Sequence, residues 1–366
     1  MLKNYSVAVI FGGVSSENEV SVITGTMVTN VLKKGGKSVL PVFIDHGGNM
    51  MAGETLADVT VFRVGERAVA QKAQSCAMAK GGFVLFKKGK PKLFVGVDCI
   101  INCCHGGLGE GGGVAGAALL NGIPLASASL FESCAFMDKY YTKLVLKALR
   151  VSVAKYAYSR DIKGAIKGAK ALGYPLIVKP ATLGSSIGVA KAENEQELLN
   201  ALETAFELDG GVILEEYFAQ RRELNCAAYL SGGNLVVSPC EEVYSSSDIL
   251  TYDDKYSGGG ERKFPVDGES EREVQSIVKR VYGALGMRGI VRFDFIEAKG
   301  KVYLSEVNTV PGSLSQYLVT KNYQEFFKVL CELIAQAKAD FESARAKRII
   351  STGILNNIRS NACKLK

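Results

Sequence analysis

Two apolar runs near the end of the chain, residues 289–297 and 301–308, flank Ala298-Lys299-Gly300 and read as a β-hairpin. Side chains alternate between faces along a strand, so Arg292 and Asp294 share one face, and Glu306 and Asn308 share one on the returning strand. The turn at Lys299-Gly300 brings the four roughly opposite each other, while apolar residues fill the other face. Two carboxylates and an amide oxygen are hard ligands suited to Mg²⁺, which usually completes its shell with phosphate and water. Arg292 beside them is placed to hold a phosphoryl oxygen or an oxyanion. The plainer alternative is a cross-strand charge pair on a wet face.

The rest of the chain supplies a frame for that hairpin. A length of 366 residues predicts two or three domains. With 47% hydrophobic and 22% charged residues, wholesale disorder is excluded. Residues 5–11 are apolar and run into Gly12-Gly13. Ser16 and Glu19 match a capping box with Ser16 at the N-cap, and helical spacing continues to about Leu32. The run 38–44 completes strand–helix–strand, the opening of a doubly wound α/β sheet. Residues 46–94, polar and rich in Gly and Lys, read as an insertion with a hairpin on the sheet edge. A buried strand over 95–103 then leads through His105-Gly-Gly-Leu-Gly-Glu110 to a helix of small residues over 114–120.

Beyond Pro124 the pattern changes. A helix over 137–149 stacks Lys139, Lys143 and Lys147 on one face. Short strands at 174–179 and 187–191 flank a loop from Pro180 to Ser186. In that loop Gly184 permits close backbone approach, and Ser185 and Ser186 offer hydroxyls and N–H donors. A phosphate cradle and a plain turn both fit. A helix over 195–208, a strand over 212–217, a hairpin of 224–230 with 234–238 and a basic helical tail complete the order.

Charge and cysteines exclude several classes. The net charge of +7 is modest and spread out, as on a solvated surface that attracts small anions, and it lacks the interleaved aromatics of a nucleic-acid binder. No long uncharged apolar run predicts a membrane span. The start of the chain turns polar at Ser15, before any signal-peptide pattern. Cys99, Cys103 and Cys104 fall in one apolar run and read as reduced core residues of a cytoplasmic protein. Two histidines and no CxxC pair argue against zinc. Gly36-Lys37-Ser38 resembles the end of a P-loop, but Val31 stands where its first glycine belongs. Gly111 to Gly116 formally matches GxGxxG, which keeps open an NAD-binding oxidoreductase.

Seven segments in register resemble the D-alanine–D-alanine ligases of the ATP-grasp superfamily: FGGVSSENEVS (11–21), HGGLGE (105–110), MDKYYTK (137–143), VKPATLGSSIGV (178–189), YDDKY (252–256), VRFDF (291–295) and EVNTVPG (306–312). The resemblance implies a mixed α/β ATP-grasp fold. Its parts would be a Rossmann-like N-terminal domain (1–126, with the 46–94 insertion), a central subdomain (127–214) and a C-terminal domain (215–366) carrying a mobile loop at 245–263. By motif, Lys139 and Lys179 would contact ATP phosphates, with Ser185 and Lys255 beside them. Glu215, Glu216, Tyr217 and Phe218 would meet the adenine and Glu223 the ribose. Asp294, Glu306 and Asn308 would hold two Mg²⁺, with Mn²⁺ as a substitute. Glu17 would take the ammonium of the first D-alanine and His105 would lie near its carboxylate. Glu17, Ser185 and Tyr256 match a hydrogen-bonded trio that closes over the reactants.

The implied chemistry is activation of a carboxylate by ATP to an acyl phosphate, then attack by the amine of a second D-alanine. Arg292 and the Gly312 backbone N–H would stabilise the tetrahedral oxyanion. Ungapped counting puts Tyr317 where many members carry a serine for the second carboxylate, with Ser313 and Ser315 as candidate substitutes. Gly111 stands where an Asp is common. The product would be the dipeptide of peptidoglycan precursors, made by a cytoplasmic homodimer; D-serine or D-lactate as acceptor is the near alternative. A catalytically idle nucleotide-binding paralogue is a further one, disfavoured by the intact cluster of Arg292, Asp294, Glu306 and Asn308.

Overall fold

The computed structural model describes residues 3–244, 262–266, 268–346 and 350–353. Its N-terminal part is built on Lys3–Tyr5 (β1), Val7–Gly12 (β2), Val39–Ile44 (β3), Met50–Ala52 (β4), Gln74–Ala79 (β5), Gly82–Lys87 (β6), Lys90–Val97 (β7) and Ile100–Asn102 (β8). Every residue of β2 is buried, as expected of a strand covered on both faces. It pairs in parallel with β3 on one side and β8 on the other. The helix Asn18–Lys34 (α1) is the crossover between β2 and β3.

Here the sequence expectation needs correcting. Residues 46–94 form no separate edge hairpin; β4 to β7 continue the sheet in antiparallel steps from β3. The meander then returns to the start of the chain. Lys3 pairs with Val95 and Ala8 with Ile100, so β1 with β2 and β7 with β8 act as two long parallel partners, each pair 92 positions apart. The sheet thereby curls until its two ends share the same pair of strands. The expected single strand over 95–103 is divided between β7 and β8.

The central part is a four-stranded antiparallel sheet of Tyr156–Ser159 (β9), Leu176–Pro180 (β10), Ala190–Ala192 (β11) and Val212–Glu216 (β12), in the order β11-β10-β12-β9. Two helices cover one face through Ala165, Ala169, Leu198, Leu202 and Ala205. Asp161 and Asn194 cap them by accepting from the N–H groups of Gly164 and Glu197. The third sheet joins Arg222–Ser231 (β13), Asn234–Val237 (β14), Cys240–Val243 (β15), Arg262–Val266 (β16), Val291–Ala298 (β17) and Lys301–Asn308 (β18), all antiparallel. Phe293 and Phe295 are buried against the helix Glu269–Leu285. Each such phenylalanine contributes about 1.5–3 kcal/mol of burial free energy.

The long helix Tyr323–Arg345 folds back onto the N-terminal part. Phe326, Leu330 and Leu333 share one hydrophobic cluster with Val28, Val31 and Leu32 of α1. Gly35 is needed there, because an added Cβ would lie 2.1 Å from the Phe327 ring.

Three local expectations are changed by the structure. The capping box does not form: α1 starts at Asn18, and Glu17 at its N-cap makes no side-chain cap. The Glu17 N–H is taken instead by Ser15 Oγ at 3.0 Å, and Ser16 is exposed. The helix expected over 137–149 is present as Lys139–Ala148, and its start is set by Asp138, which leaves helical geometry, caps it through Tyr140 N (2.7 Å) and Tyr141 N (3.2 Å), and separates it from the preceding helix Leu130–Met137. The strand expected over 187–191 is confined to β11.

Candidate active site

A cleft of about 400 Å³ lies between the central and third sheets and reaches the N-terminal part. Its floor is the β17–β18 hairpin. Arg292 pairs with Asn308 and Asp294 with Glu306. A two-residue turn alone would set Asp294 opposite Ser305 and turn Glu306 to the other face. A register shift just beyond Asp294, with Ser305 as the extra residue, puts all four polar side chains on one side. Arg292 grips Asp294 with two bonds, Nε to Oδ1 at 2.7 Å and Nη2 to Oδ2 at 2.9 Å. Asn308 Nδ2 donates to the same Oδ2 at 2.9 Å, leaving its carbonyl oxygen as an acceptor. Burial would lower the Arg292 guanidinium, but the Asp294 charge holds it well above its ordinary value.

The central sheet forms the opposite wall. Ile177 pairs with Glu215, so Lys179, two residues on, is the diagonal same-face neighbour of Glu215. Lys179 Nζ donates to Glu215 Oε2 at 2.8 Å, and Lys143 Nζ lies 2.6 Å from Oε1. Burial pushes the Glu215 carboxyl up, but the two ammonium groups override it and hold the group well below the carboxylate range. Burial likewise works against the Lys179 charge, and Glu215 and Glu306 restore it above the ordinary lysine value. Lys139 begins its helix with its ammonium on the Leu183 carbonyl and 4.0 Å from Glu306. Glu223 pairs with Arg221 at 3.0 Å. Tyr217 and Phe218 also line the cleft, beside Ile177, Val189 and Phe295.

The N-terminal part closes the far end. Ser185 donates a hydrogen bond to Glu17 Oε1, joining the serine loop to the start of α1. Ser185 and Ser186 both have positive φ, 51° and 60°, a strained choice for non-glycine residues. Glycines make the approach possible: an added Cβ on Gly184 would lie 2.6 Å, and on Gly106 2.5 Å, from Glu17 Oε2. His105 Nε2 meets Thr24 Oγ1 at 2.8 Å, and the same hydroxyl accepts from the Ser313 N–H at 3.0 Å. Burial pushes the imidazole down to about 4, against a backbone bond to Val310 and with the help of the Arg292 charge. It is therefore neutral at pH 7. Glu110 accepts from Gly106 N at 2.8 Å and Val310 N at 3.2 Å. Burial, with the Glu17 charge, raises it to about 7.

The sequence did not single out Thr24 or Lys143 as parts of the site, whereas Glu110 stood beside His105 as a candidate for holding a small charged substrate. Thr24 carries no motif, while Lys143 is only the second member of a lysine stripe. Six of the seven motifs gather here. The seventh, with Lys255 and Tyr256, lies outside the described residues, as does nearly all of the loop expected at 245–263. Ser313, Leu314 and Ser315 follow Gly312 as three successive left-handed residues, φ 49°, 46° and 49°. Tyr317 lines the cleft and donates to Glu241 at 2.9 Å. The glycines at 111–116 serve packing: an added Cβ on Gly112 would lie 2.7 Å from Cys134 Sγ and 2.9 Å from Leu130. Close packing of that run against the helix Leu130–Met137 gives its glycines a structural reason that needs no dinucleotide.

Two antiparallel sheets facing each other across a cleft of lysines, carboxylates and an arginine define an enzyme of the ATP-grasp class. Family profiles described as D-ala D-ala ligase N-terminus and D-ala D-ala ligase C-terminus match residues 6–128 and 148–334. The D-alanine–D-alanine ligase of Thermosipho africanus is 34% identical, over 93% of this chain and 95% of that protein. The one from Thermosipho melanesiensis is 32% identical over 99% of both. Among solved structures, D-alanine–D-alanine ligase from Helicobacter pylori superposes with a TM-score of 0.73 at 26% identity, over 92% of this chain and 98% of that one. The VanG D-Ala:D-Ser ligase from Enterococcus faecalis gives 0.76 at 29%, over 92% and 100%. The chain belongs to the D-alanine–D-alanine ligase family.

Proposed function

We propose that this enzyme joins two D-alanine molecules at the expense of ATP, through an acyl phosphate, to supply the dipeptide of cell-wall precursors. The observation that carries the reading is the convergence in one cleft of Lys179 and Glu215, the Asp294–Glu306–Asn308 set, and Glu17 bonded to Ser185. The domain limits 1–126, 127–214 and 215–366 belong to the same proposal, as do a homodimer and a cytoplasmic location. No described helix is long and apolar enough to cross a membrane. The cysteines among the described residues are free, and most are buried.

Among the described residues no group of three or more His, Cys, Asp and Glu gathers as a metal site. The assigned donor set is Asp294, Glu306 and the Asn308 carbonyl oxygen, which share one side of the hairpin and are hard oxygens that fit two Mg²⁺, or Mn²⁺, with phosphate completing the shell. When bound, the metal offsets phosphate charge and polarises the transferred phosphoryl group.

The protein's own residues do the rest. Tyr217 and Phe218 bracket the adenine, with Glu215 and Glu216 at its polar edge and Glu223 at the ribose. Lys139 and Lys179 take phosphate oxygens, with Ser185 beside them. Glu17 binds the ammonium of the first D-alanine, whose carboxylate attacks the γ-phosphorus as ADP leaves. His105, neutral, shapes that subsite. The second D-alanine amine then attacks the acyl carbon, held by the Gly312–Ser315 turn. Arg292 and the Gly312 N–H stabilise the oxyanion until phosphate departs with the bond electrons and the amine loses its proton. Lys255 and Tyr256 join the proposal by motif alone.

The acceptor is the second point to test, because Tyr317 occupies the cleft and a D-Ala:D-Ser ligase is among the similar structures. Incubation with ATP, Mg²⁺ and D-alanine, with D-serine or D-lactate in competition, is expected to give D-alanyl-D-alanine as the main product by mass. D-Ala–D-Ser as main product overturns the acceptor assignment; no D-alanine-dependent ADP release overturns the function.

A further inference from the structure

Lys143 lies one helical turn beyond Lys139 and is 1% exposed. Lys139, Thr142, Lys179 and Glu215 all line the cleft; Lys143 does not, and stands behind Glu215. Its ammonium is 2.6 Å from Glu215 Oε1, on the side away from Lys179, which holds Oε2 at 2.8 Å. Its ammonium also lies over the Tyr156 ring, whose centroid is 5.5 Å away. A fully buried ammonium is costly unless it is paired, and this one does not line the cleft. Its use must run through Glu215.

We infer that Lys143 is a positioning residue that sets the nucleotide-base preference by holding Glu215 from behind. This rests on the nucleotide site proposed above. The trio of two ammonium groups and one carboxylate carries one surplus positive charge. An incoming phosphate competes for Lys179. Because Lys143 stays, Glu215 keeps a counterion when Lys179 leaves, and Oε2 is turned to the cleft as an acceptor. Without Lys143, releasing Lys179 would strand a buried carboxylate, so Lys179 stays on Glu215 and away from phosphate.

The surroundings of Oε2 define what it accepts from. Ile177, Val189, Phe218, Phe295 and Ile296 make an apolar slot for a flat ring. A carboxylate oxygen at its edge accepts an N–H of a 6-amino purine. A 6-oxo purine would bring a lone pair against it, and sites built on such a bond reject the analogue strongly.

The test uses the full chain and compares kcat/KM for ATP and inosine triphosphate in D-alanine-dependent nucleoside diphosphate release. Lys143→Met, close in volume, is expected to lower the ATP-over-ITP ratio at least tenfold through the nucleotide KM, with the D-alanine KM within twofold of the parent. An unchanged ratio overturns the inference. A paired variant guards against misfolding, since Lys143→Met with Glu215→Gln leaves no lone buried charge between the two positions. Glu215→Gln alone should lower the ratio at least tenfold, and adding Lys143→Met should change it less than twofold; a further tenfold fall overturns the inference. An inactive parent chain would refute the ligase reading instead, so the two failures are distinct.

Discussion

Glu110 offers a pH test of the network beneath the cleft. Burial raises its carboxyl from an ordinary 4.5 to about 7. Between those values the unfolded chain has released the proton and the folded chain still holds it, so stability falls as pH rises through the window. The 2.5-unit difference corresponds to roughly 3 kcal/mol at 1.36 kcal/mol per unit. Half-burial at the cleft wall trims this toward about 2 kcal/mol. Glu110→Gln cannot ionise and removes the slope. Its amide carbonyl can keep one of the two N–H bonds from Gly106 and Val310, and losing the other costs about 1 kcal/mol at every pH. His105, depressed to about 4, titrates in both proteins and cancels. Denaturant unfolding of the two proteins at pH 5 and pH 8 should therefore show the variant gaining about 2–3 kcal/mol on the parent as pH rises. A difference that stays flat, or that moves the other way, would refute the argument that Glu110 is folded as a protonated acid.

Three further substitutions probe other parts of the site. Glu306→Gln should lower turnover with ATP and Mg²⁺ at least a hundredfold while circular dichroism stays unchanged; near-parental turnover would misplace the metal set. Gly106→Ala puts a Cβ 2.5 Å from Glu17 Oε2 at a φ of +65°, so the D-alanine KM should rise about tenfold and stability fall by about 1–2 kcal/mol. Thr24→Val leaves the Ser313 N–H and His105 without their shared partner, a loss of about 2–3 kcal/mol in unfolding free energy that calorimetry would detect.

What the sequence made legible was local. Alternation alone placed Arg292 with Asp294 and Glu306 with Asn308, and glycine spacing marked the loops at 105–110 and 184–186. The bulge at Ser305 left no sequence signal, yet it decides which face Glu306 takes. The capping box failed because Ser15 takes the Glu17 N–H and Glu17 turns its carboxylate to Ser185 in the cleft, where a tertiary contact outweighs a local one. The helix Glu269–Leu285 was missed although its signals were present, acidic residues in the first turn and Gly286 in the left-handed cap. Contacts such as Lys143 to Glu215, or Thr24 to both His105 and Ser313, join segments distant in sequence. No short window contains both partners.

The way β2 finds its second partner, and β1 its only one, bears on how the chain is made. Pairing of β2 with β3 is available as soon as residues 7–44 emerge, but residues 95–102 must follow before β1 is paired and the other flank of β2 is covered. Bringing together positions 92 apart costs about 4 kcal/mol of chain entropy, which collapse around α1 and the intervening meander offsets. During synthesis at the ribosome, β2 therefore waits with one open flank until residues 100–102 have been translated, and this interval is when a stalled or truncated chain would most readily aggregate.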